Sequence, residues 1–546
     1  MKKIHFTLFF ITVFFYSTAQ TIGLIQHDVG TLDNGYVLFA PNNSNTTYLI
    51  DKCGKQVKTW ISAYKPGQSV YLLTDGTLLH TGNANNTTFN AGGKGGVIEK
   101  IDWNGTVTWS YSISDATKCQ HHDAKILPNG NILVIAWEKK TNTEAIAAGR
   151  NASLVPTVLW SEQILEIQPF GTNGGNIVWE WHLWDHLVQD YDASKANYNV
   201  VSANPQLMNL NYSASATNSD WVHMNSIDYN PTLDQILVST HNFNEIWIID
   251  HSTTTAQASS HSGGNSGKGG DLLYRWGNPI TYNTGTTTQL FGQHNAHWIE
   301  NGLPFNNQIM IFNNGAGRPG GNYSTVEIIN PPVSGYNYLF SSPYLPLTTS
   351  WNYNYGNPNS LYAQNISGAQ QLSNGNVLIC NGPNGIFTEI NSSGTQLWKY
   401  INPVGNTIAT QGATATQNMT FRCNFYPDSF SGFIGHSLTS GTTIENFNTA
   451  SASCNLNLEV YQNTINDKIV ISPNPANDFI SVQILDKEKD YTIEIIDELG
   501  RIIKTSKILQ GITFSNLETN TLVNGLYCVK ISNGISYKNF KIVIKH

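Results

Sequence analysis

The stretch HDAKILPNGNILVIAW (residues 122–137) contains an apolar strand, an Asn-Gly turn and a second apolar strand. Related stretches recur at 68–83, 294–302 and 367–382, with a longer turn at 223–240 and a looser match at 421–435. A second recurrent unit alternates with the first and consists of a strand, a Gly-containing turn and a strand with Trp, as in KIDWNGTVTWSY at 100–111. The alternation predicts four antiparallel strands in each repeat.

Six copies of the first unit predict an all-β fold with six such repeats. Four-stranded antiparallel units repeated around a ring are the blades of a β-propeller, so we expect a six-bladed β-propeller. The stretch 49–60 precedes the first complete repeat, and the strand near 421 has no outer strands after it. We therefore expect the N-terminal strands to complete the last blade and leave no long free edge. A sandwich or a solenoid is the competing architecture, which the irregular loop lengths disfavour.

The composition excludes several classes of protein and divides the chain in two. Only 12% of the 546 residues are charged and the net charge is -8, which argues against a nucleic-acid partner. With 14 Trp, 25 Tyr and 22 Phe the chain can bury a large core, so disorder is excluded. Residues 467–546 contain ten Lys/Arg, nine Asp/Glu and no Trp, a much higher charge density than the remainder. We predict a propeller at 20–450, a linker at 451–466 and a second domain at 467–546.

The N-terminus has the features of a secretory signal peptide at residues 1–19. Lys2 and Lys3 precede an apolar run from Phe6 to Phe15, and the small residues Ser17 and Ala19 follow. The run is too short to cross about 30 Å of hydrocarbon, so we expect export and no transmembrane segment. The six cysteines form no Cys-x-x-Cys pair, and an exported location permits disulfides whose pairing the sequence does not supply.

Three histidines occupy one position of the repeat. Aligned on the turn glycine, this position contains Gln68, His122, His223, His294 and Ser367. Corresponding inner-strand positions converge on a propeller axis, so we expect the three imidazoles to meet at one central region, with Asn225 on the strand face of His223. His121 and His297 break the alternation, and we expect His121 to face away and be structural. Seven further histidines are predicted to be solvated or loop residues: His27, His80, His182, His186, His251, His261 and His436.

Converging imidazoles support two chemistries. Three histidines with an open fourth position can hold a catalytic zinc ion. Alternatively, one histidine is a nucleophile and its neighbours act as acid, base and charge stabilisers. The residues alone leave these alternatives open, and a purely structural role for each histidine remains the simplest alternative to both.

Four stretches resemble the aryl-sulfate sulfotransferase family: QHHDAKILPNGNIL (120–133), DWVHMNSIDYNPTLDQILVS (220–239), LFGQHNAHWI (290–299) and SGAQQLSNGNVLICNG (367–382). The resemblance spans about 35–430. It implies a six-bladed propeller that moves a sulfuryl group from a phenolic sulfate to an acceptor phenol through a sulfohistidine. It also implies that no nucleotide sulfate donor, no other cofactor and no stoichiometric metal takes part.

The resemblance assigns roles to individual residues. It makes His294 the nucleophile, and His122, His223 and Asn225 fall on other active-site positions of the family. The family has an arginine in the strand after His-x-Asn, where this chain has Thr240 and His241. These two are expected to line the substrate, although they are poorer partners for an anion than a guanidinium. The Gly-rich run 261–279 offers Lys268 and Arg275 as replacement cations.

Residues 467–546 resemble the C-terminal sorting domain of type IX secretion cargo, for example in SPNPANDFISVQI (472–484) and LVNGLYCVKISNG (522–534). The alternating apolar and polar residues predict short strands of a small β-sandwich. The resemblance implies a Bacteroidetes-type source, contact with the type IX secretion machinery, and a secreted or cell-surface location. An Ig-like or carbohydrate-binding module is the alternative.

Three functional hypotheses follow. The first is a secreted aryl-sulfate sulfotransferase that acts on a small aryl sulfate donor and a phenolic acceptor. The second is a non-catalytic secreted propeller that binds glycans or surface partners. The third is a metal-dependent hydrolase or lyase that uses the same histidines.

Overall fold

The structure is a computed structural model that describes residues 21–28, 30–354, 362–446, 454, 469–484, 489–497, 501–533 and 537–546. The predicted signal peptide at 1–19 and the predicted linker at 451–466, except Cys454, lie outside the described residues. The chain forms two compact units, Met1–Cys454 and Asn455–His546, and each is described by itself.

Strands are the main regular secondary structure of the first unit. In chain order they are β1 (Gly23–His27), β2 (Gly35–Pro41), β3 (Thr46–Asp51), β4 (Gln56–Ile61), β5 (Pro66–Leu72), β6 (Leu78–Asn83), β7 (Gly96–Ile101), β8 (Val107–Ser112), β9 (Lys118–Ile126), β10 (Ile132–Thr141), β11 (Val158–Phe170), β12 (Gly174–His182), β13 (Leu187–Val188), β14 (Met208–Asn209), β15 (Met224–Asn230), β16 (Gln235–Thr240), β17 (Glu245–Asp250), β18 (Tyr274–Trp276), β19 (His294–Trp298), β20 (Ile309–Asn313), β21 (Thr325–Ile329), β22 (Val333–Ser334), β23 (Asn337–Tyr338), β24 (Trp351–Tyr353), β25 (Gly368–Gln371), β26 (Val377–Asn381), β27 (Ile386–Ile390), β28 (Gln396–Ile401) and β29 (Thr420–Pro427). The α-helices among the described residues are two short ones, α1 (Asn142–Ala147) and α2 (Thr255–Ala258), so the all-β prediction is confirmed.

The predicted four-stranded repeat is present in six antiparallel sheets within the described part of the first unit. In hydrogen-bonding order these sheets are β29-β2-β3-β4, β5-β6-β7-β8, β9-β10-β11-β12, β15-β16-β17-β18, β19-β20-β21-β24 and β25-β26-β27-β28-β1. In the last of them β1 adds a fifth strand to the four of the repeat. Most residues of the second strand of each sheet are buried, in keeping with its apolar sequence.

The two ends of the first unit share one sheet. Strand β29, near the end of the unit, pairs antiparallel with β2, with Val37 opposite Phe425 and Phe39 opposite Cys423. This pairing confirms that the N-terminal strands complete the sheet of the last inner strand. The inner strands contact one another in sequence: β5 with β9, β9 with β15, β15 with β19, β19 with β25, β25 with β29, and β29 with β5.

The aromatic residue of the outer-strand repeat links each sheet to the next. Its side chain donates a hydrogen bond of 2.7–3.2 Å to a backbone carbonyl of the following sheet or of the loop that leads into it. The pairs are Trp60–Asp102, Trp109–Gly174, Trp181–Gly270, Trp276–Pro346, Tyr353–Gly394 and Trp398–Lys52. The tryptophan of the repeat therefore ties neighbouring sheets together, since a buried indole N–H needs an acceptor.

The second unit contains two antiparallel sheets around one apolar core. Its strands are β30 (Ile469–Ser472), β31 (Phe479–Ile484), β32 (Tyr491–Ile496), β33 (Ile502–Ile508), β34 (Phe514–Glu518), β35 (Gly525–Ser532) and β36 (Tyr537–Ile544). The sheets are β30-β31-β34 and β33-β32-β35-β36. Alternate residues of β31, β32 and β35 are buried in a single cluster that both sheets share.

Cys53 and Cys454 form a disulfide, a pairing that the sequence did not supply. Among the described residues, no helix combines the length and the apolar character needed to cross a membrane.

Candidate active site

The predicted histidines meet at the inner strands of neighbouring sheets. His122 lies in β9, His223 directly precedes β15, and His294 begins β19. His241, which directly follows β16, lies between the last two. The ring centroids of His122 and His223 are 4.6 Å apart, those of His223 and His241 5.4 Å, and those of His241 and His294 5.6 Å. These four residues are called the imidazole cluster below.

A backbone irregularity recurs at this point of the inner strands. Positive φ angles occur at the aligned residues Gln68, His122, His223 and Ser367, and at Asn295 beside His294. The pairing register shifts at the same places in β5, β9, β15 and β19. Such bulges interrupt the in-out alternation of a strand and aim a side chain in a new direction. The expectation that His121 faces away from His122 is therefore wrong: their Nδ1 atoms are 2.8 Å apart.

His294 is buried and its tautomer is fixed by two acceptors. Its Nδ1 lies 2.8 Å from Asn314 Oδ1 and 3.1 Å from the Gly292 carbonyl. The Asn314 amide is oriented because its Nδ2 donates to the carbonyls of Ala363 and Ile366. Nδ1 of His294 therefore has the proton and Nε2 has the lone pair. Burial first, and then the neighbouring His241, hold the pKa of His294 well below its ordinary value.

His223 differs because a carboxylate faces it. Its Nδ1 lies 2.5 Å from Asp220 Oδ2, and Trp137 Nε1 donates to the other oxygen of Asp220 at 3.1 Å. Burial alone would lower the pKa of His223, but the Asp220 carboxylate outweighs it and the net pKa is raised. His223 is therefore the group of the cluster that most readily carries a positive charge.

His122 is linked to a buried carboxyl group through His121. His121 Nδ1 faces His122 Nδ1, and His121 Nε2 lies 2.9 Å from Glu162 Oε2. The other oxygen of Glu162 accepts the Met224 N–H at 2.9 Å. Burial raises the pKa of Glu162 well above its ordinary value and lowers the pKa values of His121 and His122. Glu162, His121 and His122 thus form a chain of hydrogen bonds, called the Glu162 relay below.

The residue at position 93, which packs against the His122 ring, must be glycine. A Cβ on Gly93 would lie 1.9 Å from His122 Cε1, and Gly93 has φ +82°, so any other residue at this position displaces the imidazole.

His241 and Thr240 occupy the place of the family arginine, and their side chains make different contacts. His241 Nδ1 lies 2.8 Å from Asn242 Oδ1, and the Asn242 amide donates to the Asp220 carbonyl, so Nε2 has the lone pair. Burial, followed by the charge of His223, lowers the pKa of His241 to about 4. Thr240 is fully buried and its hydroxyl donates to the Glu245 carbonyl at 2.9 Å, a bond within the sheet.

Asn225 is buried beside the cluster with one polar atom unsatisfied. Its Nδ2 donates to the Gln293 carbonyl at 2.7 Å, which ties β15 to the residue before His294. Its Oδ1 has no hydrogen-bond partner among the described residues. An unsatisfied buried amide oxygen is costly, so it indicates a position that a donor from a ligand can complete.

The positively charged residue near the cluster comes from a strand that sequence reasoning did not single out. Arg422, in β29, donates to Asp123 Oδ2 at 2.7 Å, to the Tyr71 hydroxyl at 2.8 Å and to the Asn225 carbonyl at 3.0 Å. Its charge contributes to the lowered pKa values of His122 and His294. The sixth repeat, FRCNFYPDSFSGFIG, contains this arginine. Because this repeat matches the others only loosely, its alignment did not identify Arg422 as a site residue.

Neither cation of the run 261–279 is shown to replace the family arginine. Arg275 is fully buried, and both Nε and Nη2 bond to the Glu245 carboxylate. Lys268 lies in a loop where Asp271 is the charged group that acts on it.

The three aligned histidines do not form a preformed metal site by themselves. Within the described part of the chain, two groups bring three potential ligand atoms within 4.8 Å of one another: His27, Cys53 and Cys454, and His186, His261 and Asp271. The first contains the disulfide, and neither includes a member of the imidazole cluster.

Comparison with known families agrees with the sequence resemblance. The arylsulfotransferase (ASST) family model matches residues 15–426, and a secretion system C-terminal sorting domain matches 470–545. Because the first match covers more than half of the chain, the protein belongs to the arylsulfotransferase family. The sorting domain, which is of the type IX secretion type, supports a secreted or cell-surface location.

Several solved structures match the chain at low identity. A protein of unknown function from Bacteroides caccae is 13% identical, with 71% of this chain and 98% of that chain covered and a TM-score of 0.38. Streptogramin B lyase is 12% identical, with coverages of 75% and 100% and a TM-score of 0.32. The β-propeller domain of Cps50 (Swd1) from Myceliophteria thermophila is 9% identical, with coverages of 70% and 90% and a TM-score of 0.33. A comparison with curated proteins gave no match.

Proposed function

We propose that this protein transfers a sulfuryl group from an aryl sulfate to a phenol, with His294 as the nucleophile and a sulfohistidine intermediate. The observation that carries the proposal is the fixed tautomer of His294. Asn314 and Gly292 hold the proton on Nδ1, so the Nε2 lone pair is available to attack sulfur. The lowered pKa keeps the ring neutral at physiological pH, as a nucleophile requires.

The framework for this site is a closed six-bladed propeller. Three observations support closure: the pairing of β29 with β2, the sequential contacts between inner strands that return from β29 to β5, and the aromatic hydrogen bonds that return from Trp398 to Lys52. A closed ring gathers side chains from several inner strands at its axis.

The first half-reaction forms a bond from His294 Nε2 to sulfur and breaks the bond from sulfur to the aryl oxygen. The departing phenolate takes a proton from His122 Nε2. In the second half-reaction His122 takes the proton of the acceptor phenol, the phenolate oxygen attacks sulfur, and the N–S bond breaks. Protons and charge balance over the cycle, and His294 returns to its starting state.

The Glu162 relay allows His122 to act first as an acid and then as a base. With Glu162 protonated, Oε2–H donates to His121 Nε2, His121 Nδ1–H donates to His122 Nδ1, and His122 has its proton on Nε2. When His122 gives up that proton, the bonds reverse and Glu162 becomes an anion. The raised pKa of Glu162 and the buried, short-range contacts support such a transfer.

The sulfate charge is met by His223 rather than by an arginine on β16. Asp220 favours the imidazolium form of His223, whose Nε2–H can donate to a sulfuryl oxygen. His241 and Arg422 line the same region as neutral and charged groups, and Asn225 anchors the strand that precedes His294. Thr240 is assigned a structural role because its hydroxyl is engaged by Glu245.

The test uses purified protein, a chromogenic nitrophenyl sulfate and a phenol acceptor. The wild-type protein should release nitrophenolate in an acceptor-dependent manner, and His294→Asn should lower the rate by roughly 10⁴-fold or more. His297→Asn is the matched control, since His297 lies on the same strand and its Nδ1 faces the backbone carbonyl of Asn295. Mass spectrometry after incubation with donor alone should detect a sulfuryl group on His294. Absence of acceptor-dependent release by the wild type, or full activity in His294→Asn, would overturn the proposal.

We propose export by the type IX route, which the sorting-domain match at 470–545 supports. Residues 1–19 are proposed to act as a signal peptide, and 467–546 to pass the protein through the type IX machinery after a linker at 451–466. Deletion of 467–546 should retain the protein inside the outer membrane, and normal release of the truncated chain would contradict the assignment.

A further inference from the structure

A second group of histidines lies outside the imidazole cluster. Asp271 Oδ1 is 2.9 Å from His186 Nδ1 and 2.7 Å from His261 Nδ1. One ligand atom from each of these residues lies within 4.8 Å of the other two. We propose that His186, His261 and Asp271 form a binding site for a divalent transition metal of the Zn²⁺ type, called the peripheral site below.

The hydrogen bonds of His186 point to a bound cation. Its Nε2 lies 2.8 Å from the Ala258 carbonyl, which can only accept, so Nε2 has a proton. In the neutral ring Nδ1 then has a lone pair, yet it faces the carboxylate oxygen of Asp271. Two acceptors at this distance repel, so either a proton or a metal ion lies between Nδ1 and the carboxylate oxygen. A histidine that binds a metal through one nitrogen and donates its other N–H to a backbone carbonyl is the usual arrangement.

The surroundings hold His186 in this orientation. Trp181 stacks on the His186 ring with centroids 5.5 Å apart, and its indole N–H donates to the Gly270 carbonyl at 2.7 Å. A Cβ on Gly270 would lie 1.9 Å from the Ala258 carbonyl oxygen and 2.6 Å from His186 Nε2. Glycine at 270 therefore permits the close approach of this loop. His186 lies outside the helices and strands, as predicted for a loop residue, but it is fully buried rather than solvated.

The third donor is accessible, which gives the site an entry path. The His261 side chain is 62% exposed, so a metal ion can reach the donors from solvent and keep water as a further ligand. Zinc–ligand bonds of about 2.0–2.2 Å place tetrahedral donors roughly 3.3 Å apart. The present separations must therefore widen by about 0.5 Å, which the exposed His261 can accommodate.

The donor set selects the class of metal. Two imidazoles and one carboxylate suit Zn²⁺ and its neighbours in the transition series, whereas Ca²⁺ and Mg²⁺ prefer oxygen donors alone. A bound ion would join the segment around His186 to the Gly-rich loop 261–271. These two segments are separated by more than seventy residues of the chain. We expect it to stabilise that loop and to take no part in sulfuryl transfer.

The test uses the full-length protein without a polyhistidine tag, freed of metal with a chelator and titrated with Zn²⁺ by calorimetry. The wild type should bind one Zn²⁺ per chain and unfold at a higher temperature when it is bound. His261→Ala should weaken binding at least tenfold and remove the zinc-dependent stabilisation. His436→Ala is the control, because His436 stacks on Trp103 away from both groups of histidines.

Other outcomes would overturn the proposal. Absence of stoichiometric binding by the wild type means that a proton, not a metal, lies between His186 and Asp271. Binding that persists in His261→Ala and is lost in His223→Ala moves the metal to the imidazole cluster. Sulfuryl transfer is measured on the same wild-type samples. If the wild type binds zinc but shows no sulfuryl transfer, only the proposed function is contradicted. If it transfers the sulfuryl group but binds no zinc, only the peripheral site is contradicted.

Discussion

The two units of the molecule use charge in opposite ways. In the first unit charged groups are scarce and several are buried in pairs, such as Arg275 with Glu245 and Arg422 with Asp123. In the second unit charges are frequent and lie at the surface: Arg501, paired with Asp497, is 70% exposed. A buried ion pair is costly to break because the remaining charge is left without solvent, whereas a surface pair contributes little. The first unit should therefore be sensitive to loss of single charges, and the sorting domain tolerant of it.

Among substitutions of buried carboxyl groups and cations, the largest effect should follow substitution in the Glu162 relay. In the proposed mechanism Glu162→Gln removes the group that donates or accepts the relayed proton, so with unsubstituted phenyl sulfate the rate of the first half-reaction should fall about 10²- to 10⁴-fold. With nitrophenyl sulfate, whose phenolate leaves without a proton, the loss should be much smaller. Single-turnover release of the two phenols measures both. An equal loss with both donors would show that Glu162 acts only as a structural group.

The next largest effect should come from breaking the Arg275–Glu245 pair, both of whose side chains are fully buried. Arg275→Met leaves the Glu245 carboxylate without its guanidinium and should lower the free energy of unfolding by about 3–5 kcal/mol. Urea unfolding followed by Trp fluorescence reports on the first unit, since all 14 Trp lie between Trp60 and Trp398. The double variant with Glu245→Gln should recover part of the loss. If Arg275→Met changes the free energy of unfolding by less than about 1 kcal/mol, the first unit is not more sensitive to the loss of a charge than the second.

A pH-dependent contribution is expected from His251, which lies between Asp234 and Glu166. Burial lowers its pKa, but the two carboxylates outweigh burial and raise the pKa to about 9. Because the folded pKa exceeds the unfolded value of about 6.5, the stabilisation is complete below pH 6.5 and disappears as the pH rises through 9. It amounts to roughly 3 kcal/mol. The difference in unfolding free energy between wild type and His251→Gln should therefore shrink between pH 6 and pH 10, and a constant difference would refute the charge on His251.

The smallest effect is expected in the second unit. Arg501→Ala removes an exposed partner of Asp497 and should change stability by less than about 0.5 kcal/mol. The unfolding transition of the second unit in calorimetry of the full chain provides the measurement. A loss of unfolding free energy comparable to that of Arg275→Met would contradict the difference in charge sensitivity between the two units.

Much of the framework was predictable because local patterns determine it. The alternation of apolar residues and the Asn-Gly and Asp-Gly turns predicted the hairpins β5–β6, β9–β10 and β25–β26. The unmatched strands at the two ends of the repeat predicted the pairing of β29 with β2. The aligned position of His122, His223 and His294 indicated the centre, although it gave no distances.

The parts that escaped prediction depend on bulges and on residues distant in sequence. Strict alternation assigned His121 to the opposite side of β9, but the left-handed backbone at His122 brings the two rings together. Glu162, Asn314 and Arg422 have no motif of their own, and each comes from a separate strand or loop. Glu162 bonds to His121, Asn314 to His294, and Arg422 to the Asn225 carbonyl beside the cluster. The same applies to His186 and Asp271, which meet only because the Gly-rich loop folds back.

The sequence by itself determined the all-β repeat, the sharing of one sheet by the two ends, the composition boundary before the sorting domain and the identity of the aligned histidines. These follow from periodicity, turn residues and composition, all of which are local properties of the chain. The tertiary structure decided the protonation pattern: which nitrogen of His294 has its proton, why His223 favours a charge, and how His122 connects to Glu162. The physical reason is that tautomers and pKa values depend on burial and on acceptors a few ångströms away, and strands far apart in sequence supply both.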